Sequence, residues 1–254
     1  MSLNLNSVGV VILAAGRGTR LNCVDKSKVM LEIGNKPIVS YIVDTLKSAG
    51  FKKEQICLVV GFQKEKVMEY FGDAVSYAVQ DEQNGTAHAA YTGIKALPKE
   101  IEQVLVLGGD DSAFYTKKTL LDFIEKHTET NAKLSLLSVE LEKPSRVGRV
   151  VRYPDKSIAI VEKEYWTEVE ENMKEISTGT FCFDREWFEK MYPTMPMLRK
   201  LGEYALPAAL AVARGEGAKY QVIKLSDSSE WFGINTKEEL EEANERKLTD
   251  INKY

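Results

Sequence analysis

Four apolar runs, at residues 8–15, 56–61, 75–80 and 104–107, alternate with amphipathic stretches, and this alternation constrains the fold of the chain more than any other feature. One amphipathic stretch, IVSYIVDTLKSAG, ends at Gly50, and another, KEKVMEYFG, ends at Gly72. A glycine just past a run of helical periodicity is a helix stop, because it takes the left-handed conformation that closes the last turn. Strands buried on both faces read as continuous apolar runs, and strands that alternate with helices build parallel βαβ units. The pattern predicts an α/β fold with a doubly wound, mostly parallel, Rossmann-like sheet. Ligands bind such sheets beyond the carboxyl ends of the strands, so the loops after the apolar runs are where a site belongs.

After Asp110 the pattern changes. KLSLLSVEL, RVVRY, SIAIVEK and ISTGTFCFD are strand-like with fewer helices between them, which predicts an antiparallel or mixed extension of the sheet. DREWFEKMY and ALPAALAVARGEG read as helices, YQVIKLS as a late strand, and TKEELEEANERKL as a closing helix. In the last of these, Thr236 and Glu239 have capping-box spacing. The acidic run EELEEANERK reads as a solvated helix face. His127, at the polar end of FIEKHTET, is expected in solvent, and Trp166, Trp187 and Trp231 are expected to pack.

The balance of charges narrows the function. Lysine and arginine number 34 against 38 acidic residues, a net charge of −4. That argues against sequence-independent nucleic-acid binding, which needs a basic footprint, though it allows a locally basic pocket. Cys23, Cys57 and Cys182 show neither disulfide nor zinc spacing, and a reducing cytoplasm is the simple reading. The first apolar run is too short to span a bilayer and lacks a cationic leader, so a cytoplasmic location without membrane attachment is expected.

The first run leads into VILAAGRGTRL, a loop with two glycines and two arginines. A dinucleotide fingerprint would need a third glycine where Leu21 stands, and no Gly-Lys-Ser/Thr follows for a Walker loop. A tight turn without a ligand is the plain alternative. Arg17, Arg20 and the following Lys28 weigh against it, because basic side chains around exposed backbone amides suit a triphosphate.

The segment LAAGRGTRL…KSKVMLEIGNKPIV resembles the opening signature of the sugar-1-phosphate nucleotidyltransferases. That signature has Leu-Ala-Ala-Gly-x-Gly-Thr-Arg, then a Pro-Lys pair, then Gly-x-x-Pro; here Ser27 replaces the proline. The resemblance implies that Leu13, Ala14, Ala15, Gly16, Gly18 and Thr19 hold the nucleotide and that Arg20 and Lys28 act on its phosphates. VQDEQNGTAHAA is similar to the base-reading segment of the uridylyltransferase domain in bifunctional enzymes that make UDP-N-acetylglucosamine, and it assigns Gln80, Gly85 and Thr86 to the base. A glutamine amide sets a donor beside an acceptor, which complements the imide edge of uracil.

The same resemblance makes Asp110, in VLVLGGDDSAFY, an Mg²⁺ ligand, with Asn235 in EWFGINTKEEL as the second. A helix cap is the plain reading of Asn235, but Thr236 with Glu239 can cap and leave it for the metal. Asp111 stands where the family has an apolar residue, and is either a further ligand or a solvated neighbour. RVGRVVRYPDKSIAIVEKEYW is similar to the sugar-touching segment, which places Gly148 and Glu162 on the sugar and Lys163 on its phosphate. Ser177, in EISTGTF, occupies the position of a sugar-fitting asparagine, and Ala205 that of a tyrosine, so the acceptor sugar stays open.

The resemblance runs from Val8 to about Leu248. It implies one nucleotidyltransferase domain over 1–254: a nucleotide-binding half at about 8–110, a sugar-binding half at about 111–236, and a C-terminal helix at 237–254, with no acetyltransferase β-helix after it. The implied reaction is Mg²⁺-dependent uridylyl transfer from UTP to a sugar 1-phosphate. Its partners are small molecules, neither nucleic acid nor membrane, and a homo-oligomer is allowed. Two other readings stay open. One is transfer from CTP or dTTP to another phosphate ester, and the other is a non-catalytic nucleotide-binding paralogue that regulates a partner.

Overall fold

The computed structural model describes residues 3–18, 21, 26–144 and 147–251. The first apolar run forms β1 (Val8–Ala14), and a two-stranded hairpin, β2 (Glu32–Ile33) with β3 (Lys36–Pro37), leads into α1 (Ile38–Ala49). Gly50 ends that helix at φ 102°, with its N–H donating to Leu46 and Lys47. Then come β4 (Ile56–Val60), α2 (Lys64–Phe71), β5 (Ser76–Val79), α3 (Thr86–Ala96) and β6 (Gln103–Gly108). The four expected strands are present to within a few residues.

The remaining elements are α4 (Lys117–Glu129), β7 (Leu134–Glu140), β8 (Arg149–Arg152), β9 (Ile158–Val161), α5 (Glu168–Glu171), β10 (Glu175–Asp184), α6 (Arg185–Met191), α7 (Ala208–Gly215), β11 (Tyr220–Lys224) and α8 (Lys237–Ile251). The main sheet runs β11–β7–β10–β6–β1–β4–β5, with β8 paired to β10 and to β9. β6, β1, β4 and β5 are mutually parallel, whereas β10 runs antiparallel to both β6 and β7. The mixed extension expected after Asp110 is therefore present, and the helices on both faces make the sheet doubly wound.

The strand period sorts the core into two layers. Val8, Val10, Ile12 and Ala14 pack with Ile42, Leu46, Val67, Leu120 and Phe123 from α1, α2 and α4. Val11 turns to the opposite face, with Ala90, Ile94, Phe188 and Ala209 from α3, α6 and α7. Gly93 of α3 lets the helix lie directly on this face: a β-carbon there would come within 2.5 Å of Val11 and 2.7 Å of Val59. A third, smaller cluster of Leu21, Ile33, Ile38, Ala113, Ile234 and Ala243 joins the hairpin and α8 to the loop after β6.

One expectation is corrected here. His127 is buried, not solvated: it shares a helical face with Leu120, Phe123 and Ile124. Its Nε2 lies 2.9 Å from Gln103 Oε1 and its Nδ1 lies 2.7 Å from Ser135 Oγ. The glutamine oxygen only accepts, so Nε2 carries the proton and Ser135 donates to Nδ1. Burial holds the imidazole down at about 4. Trp231 does pack, with its Nε1 donating to the Thr178 carbonyl over 3.0 Å.

Candidate functional site

The carboxyl ends of β1, β5 and β6 open onto a cleft of about 1040 Å³. β1 delivers Leu13, Ala15 and Gly16 to its wall, and the glycine loop then turns back at Gly18 (φ 63°), whose carbonyl accepts from Leu21 N over 3.0 Å. Ala14 is buried in the sheet opposite Val60, and neither it nor Gly18 lines the cleft. Thr19 and Arg20 lie outside the described residues. Arg17 stands over the Phe62 ring, 5.9 Å from its centroid, in a separate depression beside Lys64.

Gln80, Gly85 and Thr86 form the adjoining wall. Gln80 is buried, and its amide nitrogen donates to the Gly85 carbonyl over 3.3 Å. Gln83 donates to the Ala15 carbonyl over 2.7 Å, tying this loop to the end of β1. Gly85 sits at φ 104°, and a β-carbon on it would stand 2.5 Å from the Tyr204 carbonyl. That close approach lets Ala87 N donate to Tyr204 and Leu206 N donate to the Thr86 hydroxyl, stitching the loop to the segment that opens α7. Only glycine meets both demands, the positive φ and the missing side chain.

At the end of β6, the Lys28 ammonium pairs with Asp110 and donates to Asn235 Oδ1 over 3.0 Å. Lys28 is brought there by a short turn that begins at buried Ser27. Ser27 has φ −61°, a value proline also takes, so the backbone keeps its shape without the family's proline. Asn235 is held by α8: Glu239 accepts from the backbone N–H of both Asn235 (2.6 Å) and Thr236 (3.0 Å), and Thr236 Oγ1 accepts from Glu239 N over 3.2 Å. The capping box thus forms as expected, and the Asn235 side chain stays directed at Lys28.

Asp111 is partly exposed as a whole residue. It lines the cleft, its Oδ1 is sealed from solvent, and no partner reaches that oxygen among the described residues. Burial and then Asp110 push its carboxyl well above the usual range, against the pull of Lys28.

The far side of the cleft carries Gly148, Glu162, Lys163 and Ser177 together, as the sequence led us to expect. A β-carbon on Gly148 would stand 2.7 Å from Glu162 Oε1, so the missing side chain is what lets this carboxylate in. Ser177 N donates to the Gly148 carbonyl over 2.9 Å, just before the register of β10 shifts against β7 between Ser177 and Phe181. Burial, followed by Glu164 and Glu203, pushes Glu162 up to about 7.

Sequence reasoning missed the acidic wall that Glu164 and Glu203 make with Glu162. Glu203 lies two residues before Ala205, the position of the family's tyrosine, and that proximity was the signal available. It also read Trp231 only as packing, whereas this ring lines the cleft while it packs.

A family model described as nucleotidyl transferase matches residues 9–249. A bifunctional protein GlmU from Symbiobacterium thermophilum is 35% identical over 251 residues, covering 98% of this chain and 52% of that protein. A GlmU from Acetivibrio thermocellus is 37% identical over 234 residues, covering 92% of this chain and 50% of the relative. The chain therefore spans about half the length of these relatives. Among solved structures, a Bacillus anthracis protein described as a glucose-1-phosphate thymidylyltransferase, in complex with sucrose, superposes with a TM-score of 0.77 at 21% identity and 95% coverage of both chains. At that identity the likeness speaks to the fold alone.

Proposed function

Because the chain belongs to the nucleotidyl transferase family, we propose that it transfers the uridylyl group of UTP to a sugar 1-phosphate and releases pyrophosphate, with Mg²⁺ as cofactor. The observation that carries this reading is the position of Lys28. Its ammonium sits between Asp110 and Asn235, at the end of the sheet where the glycine loop turns. A cation-seeking pair of oxygens and a phosphate-seeking cation are thereby placed side by side. The Gln80–Gly85–Thr86 wall, similar in sequence to the base-reading segment of a uridylyltransferase domain, supports uridine as the base.

The reaction is a direct displacement. An oxygen of the sugar phosphate bonds to the α-phosphorus of UTP, the bond from that phosphorus to the bridging oxygen breaks, and pyrophosphate leaves with both electrons. A phosphate monoester is already an anionic nucleophile, so no side chain need attack, and positioning with electrostatics supplies the acceleration. Lys28 offsets charge that builds on the phosphates, beside the backbone of Leu13, Ala15 and Gly16, and Arg20 joins it in the same role. Gly148, Glu162 and Ser177 orient the acceptor's hydroxyls, and Lys163 takes its phosphate. The donor set suits a hard divalent cation, since a carboxylate and a carboxamide oxygen already converge on a positive charge. Asp110 and Asn235 would hold Mg²⁺, which when bound screens the triphosphate and the departing pyrophosphate.

The proposed setting is cytoplasmic, with small-molecule substrates. Among the described residues no helix is long and apolar enough to cross a membrane. The test is pyrophosphate release with Mg²⁺ across UTP, dTTP, CTP, ATP and GTP, each against a panel of sugar 1-phosphates and phosphocholine. Release with UTP and one sugar phosphate is expected. Release only with CTP or dTTP moves the assignment to that nucleotide. Silence with every pair, while UTP still binds by calorimetry, favours a regulatory paralogue.

A further inference from the structure

We propose that Asp110 and Asp111 together form a divalent-cation site at the end of β6, with Asp111 as a metal ligand additional to Asp110 and Asn235. The inference rests on the reading of this cleft as a nucleotidyl-transfer site, and it concerns a residue at which the chain departs from the family pattern.

Three observations carry it. The first is the unpartnered oxygen. Asp111 Oδ1 is the one buried side-chain N or O atom without a hydrogen-bond partner among the described residues. Leaving such an acceptor unsatisfied costs about 1–3 kcal/mol, so its persistence points to a group that binds there.

The second is convergence. The point a β-carbon on Gly108 would occupy lies 2.6 Å from Asp111 Oδ1 and 3.0 Å from Asp110 Oδ1. With no side chain on Gly108, one oxygen from each carboxylate approaches the same face of its backbone. Across the gap, the corresponding point on Gly179 (φ 76°) lies 3.4 Å from Asp111 Oδ2, and Gly179 also lines the cleft. Gly108, Asp110, Asp111 and Gly179 all line the cleft, so the carboxylate pair borders its open space.

The third is the state of the neighbours. The Ser112 hydroxyl donates to the Gly108 carbonyl over 2.5 Å, the Tyr115 hydroxyl pairs with Thr180 at 3.0 Å, and Thr178 donates to the Leu137 carbonyl over 2.7 Å. Lys28 reaches Asp110 and Asn235, whereas no bond joins it to Asp111. The hydroxyls of Ser112, Tyr115 and Thr178 are thus all committed elsewhere, and none is directed at the orphaned oxygen. Hard divalent cations take oxygen ligands, and two carboxylates hold them more tightly than one.

The test is Mn²⁺ alone, titrated into the full chain and followed by the loss of the free-ion electron paramagnetic resonance signal, for the wild type, Asp110→Asn and Asp111→Asn. Wild-type binding is expected, with a loss of about tenfold or more in affinity for each variant. Gly108→Ala, which puts a methyl group where the two oxygens converge, is expected to weaken binding too and serves if Asp111→Asn fails to fold. Wild-type affinity in Asp111→Asn, or no Mn²⁺ binding by the wild type, overturns the proposal. Loss in Asp110→Asn alone overturns it while leaving the nucleotidyl-transfer reading intact. Loss in both variants with no pyrophosphate release from any pair of substrates supports the site and sinks that reading instead.

Discussion

Lys28 donates a hydrogen bond of 3.0 Å to the side-chain oxygen of Asn235, a residue 207 positions further along the chain. The contact fastens the loop after β1 to the start of α8 across the end of β6, where Asp110 completes the arrangement. One basic residue therefore connects the phosphate side of the cleft to both expected metal ligands.

Removing that charge separates chemistry from folding. Lys28→Ala should lower turnover by about tenfold or more, the equivalent of about 1.4 kcal/mol of transition-state stabilisation, with an unchanged circular dichroism spectrum. Turnover near the wild type would remove Lys28 from the mechanism.

The proposed acceptor side can be disturbed alone. In Gly148→Ala the new β-carbon would stand 2.7 Å from Glu162 Oε1 and from Ile160. Crowding of that kind costs about 1–3 kcal/mol, so KM for the sugar phosphate should rise by about tenfold or more. Steady-state kinetics with each substrate varied in turn checks this, and KM for UTP should hold steady.

With Glu162 on the acceptor, as proposed, acceptor use should depend on pH. Its carboxyl is raised from 4.5 to about 7, first by burial and then by Glu164 and Glu203. The ionised form accepts from sugar hydroxyls with both charged oxygens, whereas protonation turns one of them into a donor, so kcat/KM for the acceptor should climb with pH and level off above 7. In Glu162→Gln that inflection should vanish. The same shift means the folded state binds this proton more tightly than the unfolded chain does. This group's contribution to stability is therefore full below pH 4.5 and is lost as pH rises through 7.

His127 acts on stability with the opposite sign. Its folded value is depressed from 6.5 to about 4 by burial, with Asp184 acting against the shift and Lys133 adding to it. The unfolded chain takes up the proton first, so the stabilising contribution is present above pH 6.5 and is lost as pH falls towards 4, by roughly 3 kcal/mol. Urea titrations of the wild type and His127→Gln across this window should show the smaller loss in the variant.

The sheet was legible because strands buried on both faces spell themselves as unbroken apolar runs, and the glycines at 50 and 72 mark where α1 and α2 stop. The two loops proposed to take the phosphates and the base stood out for a related reason: each is a local motif with glycines, and at Gly85 the fold requires one. What was hidden depends on contacts distant in sequence. The sequence left Asp111 open between a further ligand and a solvated neighbour, and only the fold shows that one of its oxygens is sealed without a partner. Glu162, Glu164 and Glu203 form one wall only when the segments bearing them meet. His127 could have been found. It follows Leu120, Phe123 and Ile124 at the spacing of one helical face, but the polar residues Lys126, Thr128 and Glu129 around it suggested solvent.

The measurement that tests the central claim most directly is the fate of the α-phosphate. UTP labelled there, incubated with the protein, Mg²⁺ and the sugar 1-phosphate panel, should deliver its label to a nucleotide sugar, one equivalent for each pyrophosphate released. Label that stays in UTP with every acceptor, or that appears as UMP or on the protein itself, would contradict direct transfer to a sugar phosphate.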